Sequence, residues 1–174
     1  MTIAINFFGG AGAGKSTISA ATFAKLKYID INCELVTEYA KDRVWNQDLF
    51  TLSNQIYVFG KQHHRMFRVK DKVDVIVTDS PFLLSLIYGK DMSKSFENLV
   101  LEEFYKFDNV NIFLRRIKRY QPIGRLQTED EAKTVDTSVK TMLDKYGISY
   151  HEIIATTSTA DEVLTLVSEK LAQV

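Results

Sequence analysis

Gly9-Gly10-Ala11-Gly12-Ala13-Gly14-Lys15-Ser16 stands directly after the apolar run Ile3 to Phe8. It stands directly before a stretch in which Ile18, Ala21, Phe23, Ala24 and Leu26 roughly follow helical spacing. Strand, glycine loop and helix in that order make the phosphate-binding pattern G-x-x-x-x-G-K-[ST]. A loop that wraps a polyphosphate must aim several backbone N–H groups inward, where side chains would obstruct them. Gly9, Gly10, Gly12 and Gly14 are accordingly interrupted only by Ala11 and Ala13. Lys15 can reach the outer phosphates as a point charge, and the Ser16 hydroxyl can ligate a divalent metal. The helix that begins through Ser16 and Thr17 directs its positive end at the anion. A functionless glycine-rich turn is the competing reading, and it leaves both the full pattern and its flanks as coincidence.

The chain has 174 residues, 45% of them hydrophobic, which suits one compact domain spanning 1–174 with a substantial core and no linker. Its 22 basic residues balance its 22 acidic ones, so no global field draws it to nucleic acid or to a membrane, although a local basic patch stays open. A small-molecule acceptor is the expectation. The lone cysteine, Cys33, excludes an internal disulfide and fits a reducing compartment. There is neither a leader-like start nor an apolar run long enough to span a bilayer, so a cytoplasmic, non-membrane protein is expected.

Strand-like apolar runs recur at Ile3–Phe8, Cys33–Thr37, Val73–Thr78, Val110–Leu114 and roughly Tyr150–Ala155, with helical stretches between them. That alternation predicts an α/β three-layer sandwich with a five-stranded parallel sheet, order 2-3-1-4-5, whose carboxyl edge hosts the ligand. A long helix from about Leu52 to Lys72 repeats Ile56, Phe59, Met66 and Phe67 and should pack on the sheet. Thr128 and Glu131 have capping-box spacing, and Ala132, Val135, Val139, Met142, Leu143 and Tyr146 then form one apolar stripe before Gly147. Thr159 and Glu162 repeat the box spacing, and the stripe Val163, Leu164, Val167 and Leu171 should close the domain.

Val75-Ile76-Val77-Thr78 delivers Asp79-Ser80-Pro81 to the same edge as the glycine loop. A carboxylate there can hold a metal or orient an acceptor hydroxyl, so Asp79 is a candidate metal ligand and catalytic group; the alternative is a cap for a helix begun near Pro81. Glu38 follows Leu35-Val36-Thr37 and should emerge at that edge as a candidate general base, against a solvated first-turn glutamate. Asp42 and Arg43, one helical turn on, are candidate acceptor anchors, with a surface ion pair the alternative. The basic segment Arg115-Arg116-Ile117-Lys118-Arg119-Tyr120 continues into Gln121-Pro122-Ile123-Gly124-Arg125 and reads as a lid over roughly 115–128. Arg115, Arg119 and Arg125 are the expected phosphate-neutralising residues of that lid, against a solvated basic loop.

Together these residues resemble the P-loop small-molecule kinases, especially the nicotinamide riboside kinase-like and deoxynucleoside kinase-like groups and their bacteriophage-encoded AAA-type relatives. The resemblance covers most of the chain. It implies ATP and Mg²⁺ as cofactors, a nucleoside, nucleotide or similar small molecule as acceptor, and Glu38 as base. Deoxynucleoside kinases carry an acidic-Arg-Ser triplet after the third strand, whereas Ser80 here takes the arginine's place. Gly124-Arg125-Leu126-Gln127-Thr128-Glu129 looks like the lid of the phage-encoded group, some of which are thought to phosphorylate modified bases in DNA.

Gln55, Phe59 and Gln62 share one helical face, so Gln55 and Phe59 are candidate contacts to a nucleobase, against solvent-facing amides and a core ring. Trp45, Phe82 and Tyr88 are further rings able to stack, although core packing is the commoner role. His63 and His64 fit no metal spacing with Cys33. The expected enzyme transfers the γ-phosphoryl of ATP to a hydroxyl or phosphate of the acceptor. Two alternatives stand beside it: a kinase of a hydroxymethylated base in DNA, marked by steep salt dependence, and a regulatory P-loop ATPase, for which no guanine-reading Asn-Lys-x-Asp element occurs.

Overall fold

Every residue of the first strand, β1 (Ile3–Phe8), is buried. A strand this apolar, without polar alternation, belongs inside a sheet covered on both faces. The computed structural model describes residues 1–117 and 120–172 and places β1 there. In chain order the elements after β1 are α1 (Lys15–Tyr28), β2 (Cys33–Val36), α2 (Tyr39–Trp45), α3 (Leu49–Ser53), α4 (Gln55–Phe67), β3 (Val75–Thr78) and α5 (Leu84–Tyr88). They are followed by α6 (Lys94–Phe104), β4 (Asp108–Arg115), α7 (Glu129–Lys145), β5 (His151–Ile154) and α8 (Thr159–Leu171).

The five strands are all parallel, in the expected order β2-β3-β1-β4-β5. Strand alternation sends Ile3, Ile5 and Phe7 to one face, where they pack with Ile18 and Leu26 of α1 and Val163 and Val167 of α8. Ala4 and Phe8 point to the other face, toward Phe59 and Met66 of α4, Val100 of α6 and Val139 and Leu143 of α7. The result is the three-layer α/β sandwich that the strand and helix alternation predicts.

Two local expectations are corrected, and one alternative reading is excluded. The long helix expected over 52–72 is two helices, because Asn54 ends α3 and its side chain accepts the Tyr57 N–H at 3.1 Å to start α4. That new start sets the phase: Val58, Phe59, Gln62 and Met66 turn inward, while Ile56 and Phe67 lie more than half exposed. The box expected at Thr159 and Glu162 does not form. Thr159 is the first residue of α8, and its hydroxyl instead accepts the Thr156 N–H and donates to the Ile154 carbonyl, both at 2.8 Å. Asp79 caps no helix, since α5 starts at Leu84 with Leu83 at its N-cap.

The helix that leads away from the lid is specified at both ends. Thr128 and Glu131 form the reciprocal capping box. At the other end the Gly147 N–H donates to Asp144 and the Ile148 N–H to Leu143, the paired bonds of a Schellman stop. Thr128→Ala is expected to lower stability by about 1 kcal/mol in chemical denaturation, the usual cost of a lost Thr cap, with an unchanged denaturant slope.

Candidate active site

Parallel strands deliver their carboxyl ends to one edge, and four chain segments meet there. The Gly9–Gly14 loop leaves β1, Glu38 stands two residues after β2, Asp79 immediately after β3, and Arg115 closes β4. Lys15 begins α1 with Nζ donating to the Gly9 carbonyl at 2.7 Å and the Gly10 carbonyl at 3.0 Å. Desolvation lowers its pKa; Glu38, Asp79 and Asp136 oppose that shift and Arg116 assists it. Lys15 and Glu38 are both half-buried.

Glu38 is the N-cap of α2, yet its side chain makes no capping hydrogen bond. It is free to face the cleft. Burial raises its pKa, Lys15 and Lys41 pull it down, and Asp79 and Asp42 push it further up. Asp79 is 2% exposed, and its Oδ1 has no hydrogen-bond partner. A buried carboxylate oxygen without a donor is costly unless something else satisfies it. Magnesium commonly takes one or two carboxylates and completes its shell with phosphate oxygens and water, and Asp79 with the Ser16 hydroxyl fits that donor set. Among the described residues no group of three or more His, Cys, Asp or Glu forms an all-protein metal cage.

The lid lies against the glycine loop. A Cβ on Gly12 would lie 3.1 Å from the nearest carbon of the Tyr120 ring, a tight contact, and the Arg125 guanidinium covers that ring at 5.4 Å. The Tyr120 hydroxyl donates to the Gln127 carbonyl. Gly124, at φ 73°, rests on the Trp45 indole so closely that an added Cβ would fall 2.5 Å from Trp45 Cζ2. The lid therefore spans from the glycine loop to α2. Arg125 is brought to the site. Arg115 is exposed and borders a groove with Glu152, Thr156, Ser158 and Glu162 on the β5 side. Arg119 lies outside the described residues.

The acceptor-side candidates separate. Asp42 forms an ion pair with Arg65, which also donates to the Thr37 carbonyl at 3.1 Å. Arg43 lies 3.6 Å from Asp48 and 5.4 Å from the centre of the Tyr39 ring, with its Nε buried and unpartnered. Gln55 Nε2 donates to the Leu52 carbonyl at 2.6 Å, tying the amide to the α3–α4 junction. Phe59 is a core ring, 5% exposed, packed edge-on against Phe82 and Phe96. Gln62 fixes the turn into α2 by accepting the Tyr39 N–H at 2.9 Å.

Three residues at this edge, Arg116, Asp136 and Lys41, carried no assigned role in the sequence, and Tyr88 was expected only as a ring able to stack. Arg116 and Asp136 form an ion pair on the glycine loop, with Arg116 Nη1 donating to the Ala11 carbonyl at 2.9 Å. Lys41 Nζ reaches the Ser16 hydroxyl at 3.4 Å. Tyr88, 43% exposed as a residue, has its hydroxyl pushed up to about 12, first by desolvation and then by Glu38, with a Gln127 contact opposing. Gly10 is also explained by α7: an added Cβ would lie 2.3 Å from the Ala132 carbonyl oxygen.

Comparison with known proteins agrees with this fold. An AAA domain family model matches residues 4–160. Thymidylate kinase from Ehrlichia chaffeensis shares 15% identity at TM-score 0.61, covering 99% of both chains. NadR in complex with NR shares 13% at TM-score 0.68, covering 97% of this chain and 50% of that one. The Mycobacterium tuberculosis APS kinase CysC, with AMPPNP and APS, shares 13% at TM-score 0.56 over 96% and 98%. No curated protein matches the sequence. Such low identities establish a fold shared with these proteins. No helix among the described residues is long and apolar enough to cross a membrane.

Trp45 is the chain's single tryptophan, so its emission reports the lid directly. Gly124→Ala combines a strained backbone with a clash on the indole. The expected outcome is a changed Trp45 emission spectrum with the cooperative melt retained. Identical spectra would mean that the lid does not rest on Trp45 in solution.

Proposed function

The chain belongs to the AAA domain family, and on that premise we propose that it is an ATP- and Mg²⁺-dependent kinase of a nucleoside, nucleotide or similar small molecule. One observation carries the reading: Lys15, Glu38 and Asp79 converge at the mouth of the glycine loop, and the Asp79 Oδ1 is buried without a donor. A loop built only to turn the chain would have no use for two desolvated carboxylates around its lysine.

Each group has a separable task. Lys15 exchanges the Gly9 and Gly10 carbonyls for the outer phosphates, which bring a stronger negative partner. Asp79 and Ser16 would hold Mg²⁺, which would supply positive charge to neutralise the phosphates. Glu38 orients the acceptor and takes its proton as the acceptor oxygen bonds to the γ-phosphorus. The bond from that phosphorus to the bridging oxygen breaks, and ADP leaves. Arg125 closes with the lid and shields the transfer from water.

The charge around the acceptor favours a hydroxyl over a phosphate. Asp48 neutralises Arg43, and Asp42 neutralises Arg65. The cleft thus presents Glu38 to the incoming group, a carboxylate that repels a phosphate dianion and suits a neutral alcohol that must lose a proton. Transfer of labelled γ-phosphate across nucleosides, nucleotides, nicotinamide riboside and DNA bearing a hydroxymethylated base tests the reading. A labelled small molecule supports it, labelled DNA replaces the acceptor, and phosphate released to water alone replaces the kinase with an ATPase.

Lys15→Ala should lower kcat by about 10²- to 10³-fold, the usual cost of one preorganised transition-state contact, with the thermal melt retained. An unchanged kcat would remove Lys15 from the mechanism. Because the Glu38 pKa is raised, kcat/KM should fall as pH drops through a limb above the ordinary carboxylate range. Glu38→Gln should flatten that limb, and a limb that persists in the variant would assign the base elsewhere.

A further inference from the structure

We infer that Arg116 and Asp136 are positioning residues for the nucleotide loop: a guanidinium–carboxylate clamp that ties the Gly10 N–H and the Ala11 carbonyl to α7. The inference rests on the reading that this loop holds a triphosphate.

Every polar end of the pair is committed. The Gly10 N–H donates to Asp136 Oδ1 at 2.5 Å. Asp136 Oδ2 accepts from Arg116 Nε at 3.1 Å and Nη2 at 2.6 Å. Arg116 Nη1 donates to the Ala11 carbonyl at 2.9 Å, and Nη2 also approaches the Ala132 carbonyl at 3.3 Å. Of the described ion pairs this one is sheltered on both sides, with the side chains 12% and 22% exposed. Shelter makes charge-assisted bonds stronger and their loss costlier. Four bonds from three nitrogens of one planar group are what the arrangement uses, a geometry that lysine cannot supply.

The sequence placement agrees. Asp136 lies one turn after Ala132 and one turn before Val139, both fully buried, so a carboxylate occupies the inward face of α7. An inward carboxylate demands partners, and the ones it has are a loop amide and an arginine. The β1–β4 register pairs Phe8 with Phe113, and counting on by three brings Arg116 level with Ala11, the residue it holds. With its nitrogens engaged by Asp136, Ala11 and Ala132, Arg116 acts on the phosphates through the loop. The first half of the loop is thereby fixed to α7, whose N-terminus carries the lid. A displacement of even one ångström in a phosphate cradle is expensive in rate.

The test compares the full chain with Asp136→Ala, Arg116→Ala, their double variant and Asp136→Asn, which keeps an acceptor for the Gly10 N–H but removes the charge. Amide hydrogen exchange without nucleotide reads the clamp itself. Faster exchange is expected over 9–14 in both alanine variants, with β1 and the 139–143 stretch of α7 as protected as in the parent. Calorimetric titration with ATP and Mg²⁺ should show affinity lowered by about tenfold or more in each alanine variant, the equivalent of one charged hydrogen bond. The double variant should be no weaker than the weaker single one, and Asp136→Asn should fall between. Adenosine binding should move less than ATP binding. Parental loop exchange, or losses that add in the double variant, would overturn the clamp. A parent that binds no ATP but shows the exchange pattern would refute the kinase reading and leave the clamp standing.

Discussion

Burial of β1 on both faces, paired in parallel with β3 and β4, is the constraint from which the site follows. Parallel pairing means that whatever follows each strand emerges at the same edge. Asn6 pairs with Thr78, Val36 with Thr78 and Phe8 with Phe113. With those registers fixed, the glycine loop, Glu38, Asp79 and Arg116 have no other place to go. A slip of one residue in β1 would exchange its two core faces and aim the loop away from the carboxylates.

The charges at that edge are arranged in two tiers. The inner tier is unsatisfied: Asp79 keeps a buried oxygen without a donor, Glu38 is held above its ordinary pKa, and Lys15 turns back on the carbonyls of its own loop. The outer tier is paired, with Arg116 on Asp136 and Arg65 on Asp42, and with Arg43 beside Asp48 although its Nε lacks a partner. Groups left wanting in a cleft are groups poised for a ligand, while those already paired hold the walls in place. The lid extends this division, since Tyr120 lies on the glycine loop and Gly124 lies on Trp45.

Much of this was legible in the sequence because it depends on local patterns. The run Ile3 to Phe8 followed by the glycine loop announced the first unit, and the alternation of apolar runs with helical stretches announced the parallel sheet. Thr128 and Glu131 announced α7 by a rule that needs only three residues of separation. What failed was also local but contested. Asn54 looked like one polar residue in a helical pattern and proved to be a cap that reset its phase. Phe59 and Gln62 shared a face as expected, but that face is the core, so the ring packs and the amide bonds the chain. Asp136 was the hardest to see, because its partners Gly10 and Arg116 are 126 and 20 residues away. Its one sequence-level sign is a carboxylate on the same helical face as Ala132 and Val139. Gly124 illustrates the remaining gap, since no local pattern shows that an indole from α2 will lie against it.

The central claim is that the Gly9–Ser16 loop is a seat for a triphosphate. Titrating ATP with millimolar Mg²⁺ into the wild-type chain by isothermal calorimetry tests it most directly. The account predicts a saturable heat at one nucleotide per chain, with an affinity far above that for adenosine. No heat from ATP, or equal affinities for ATP and adenosine, would contradict it.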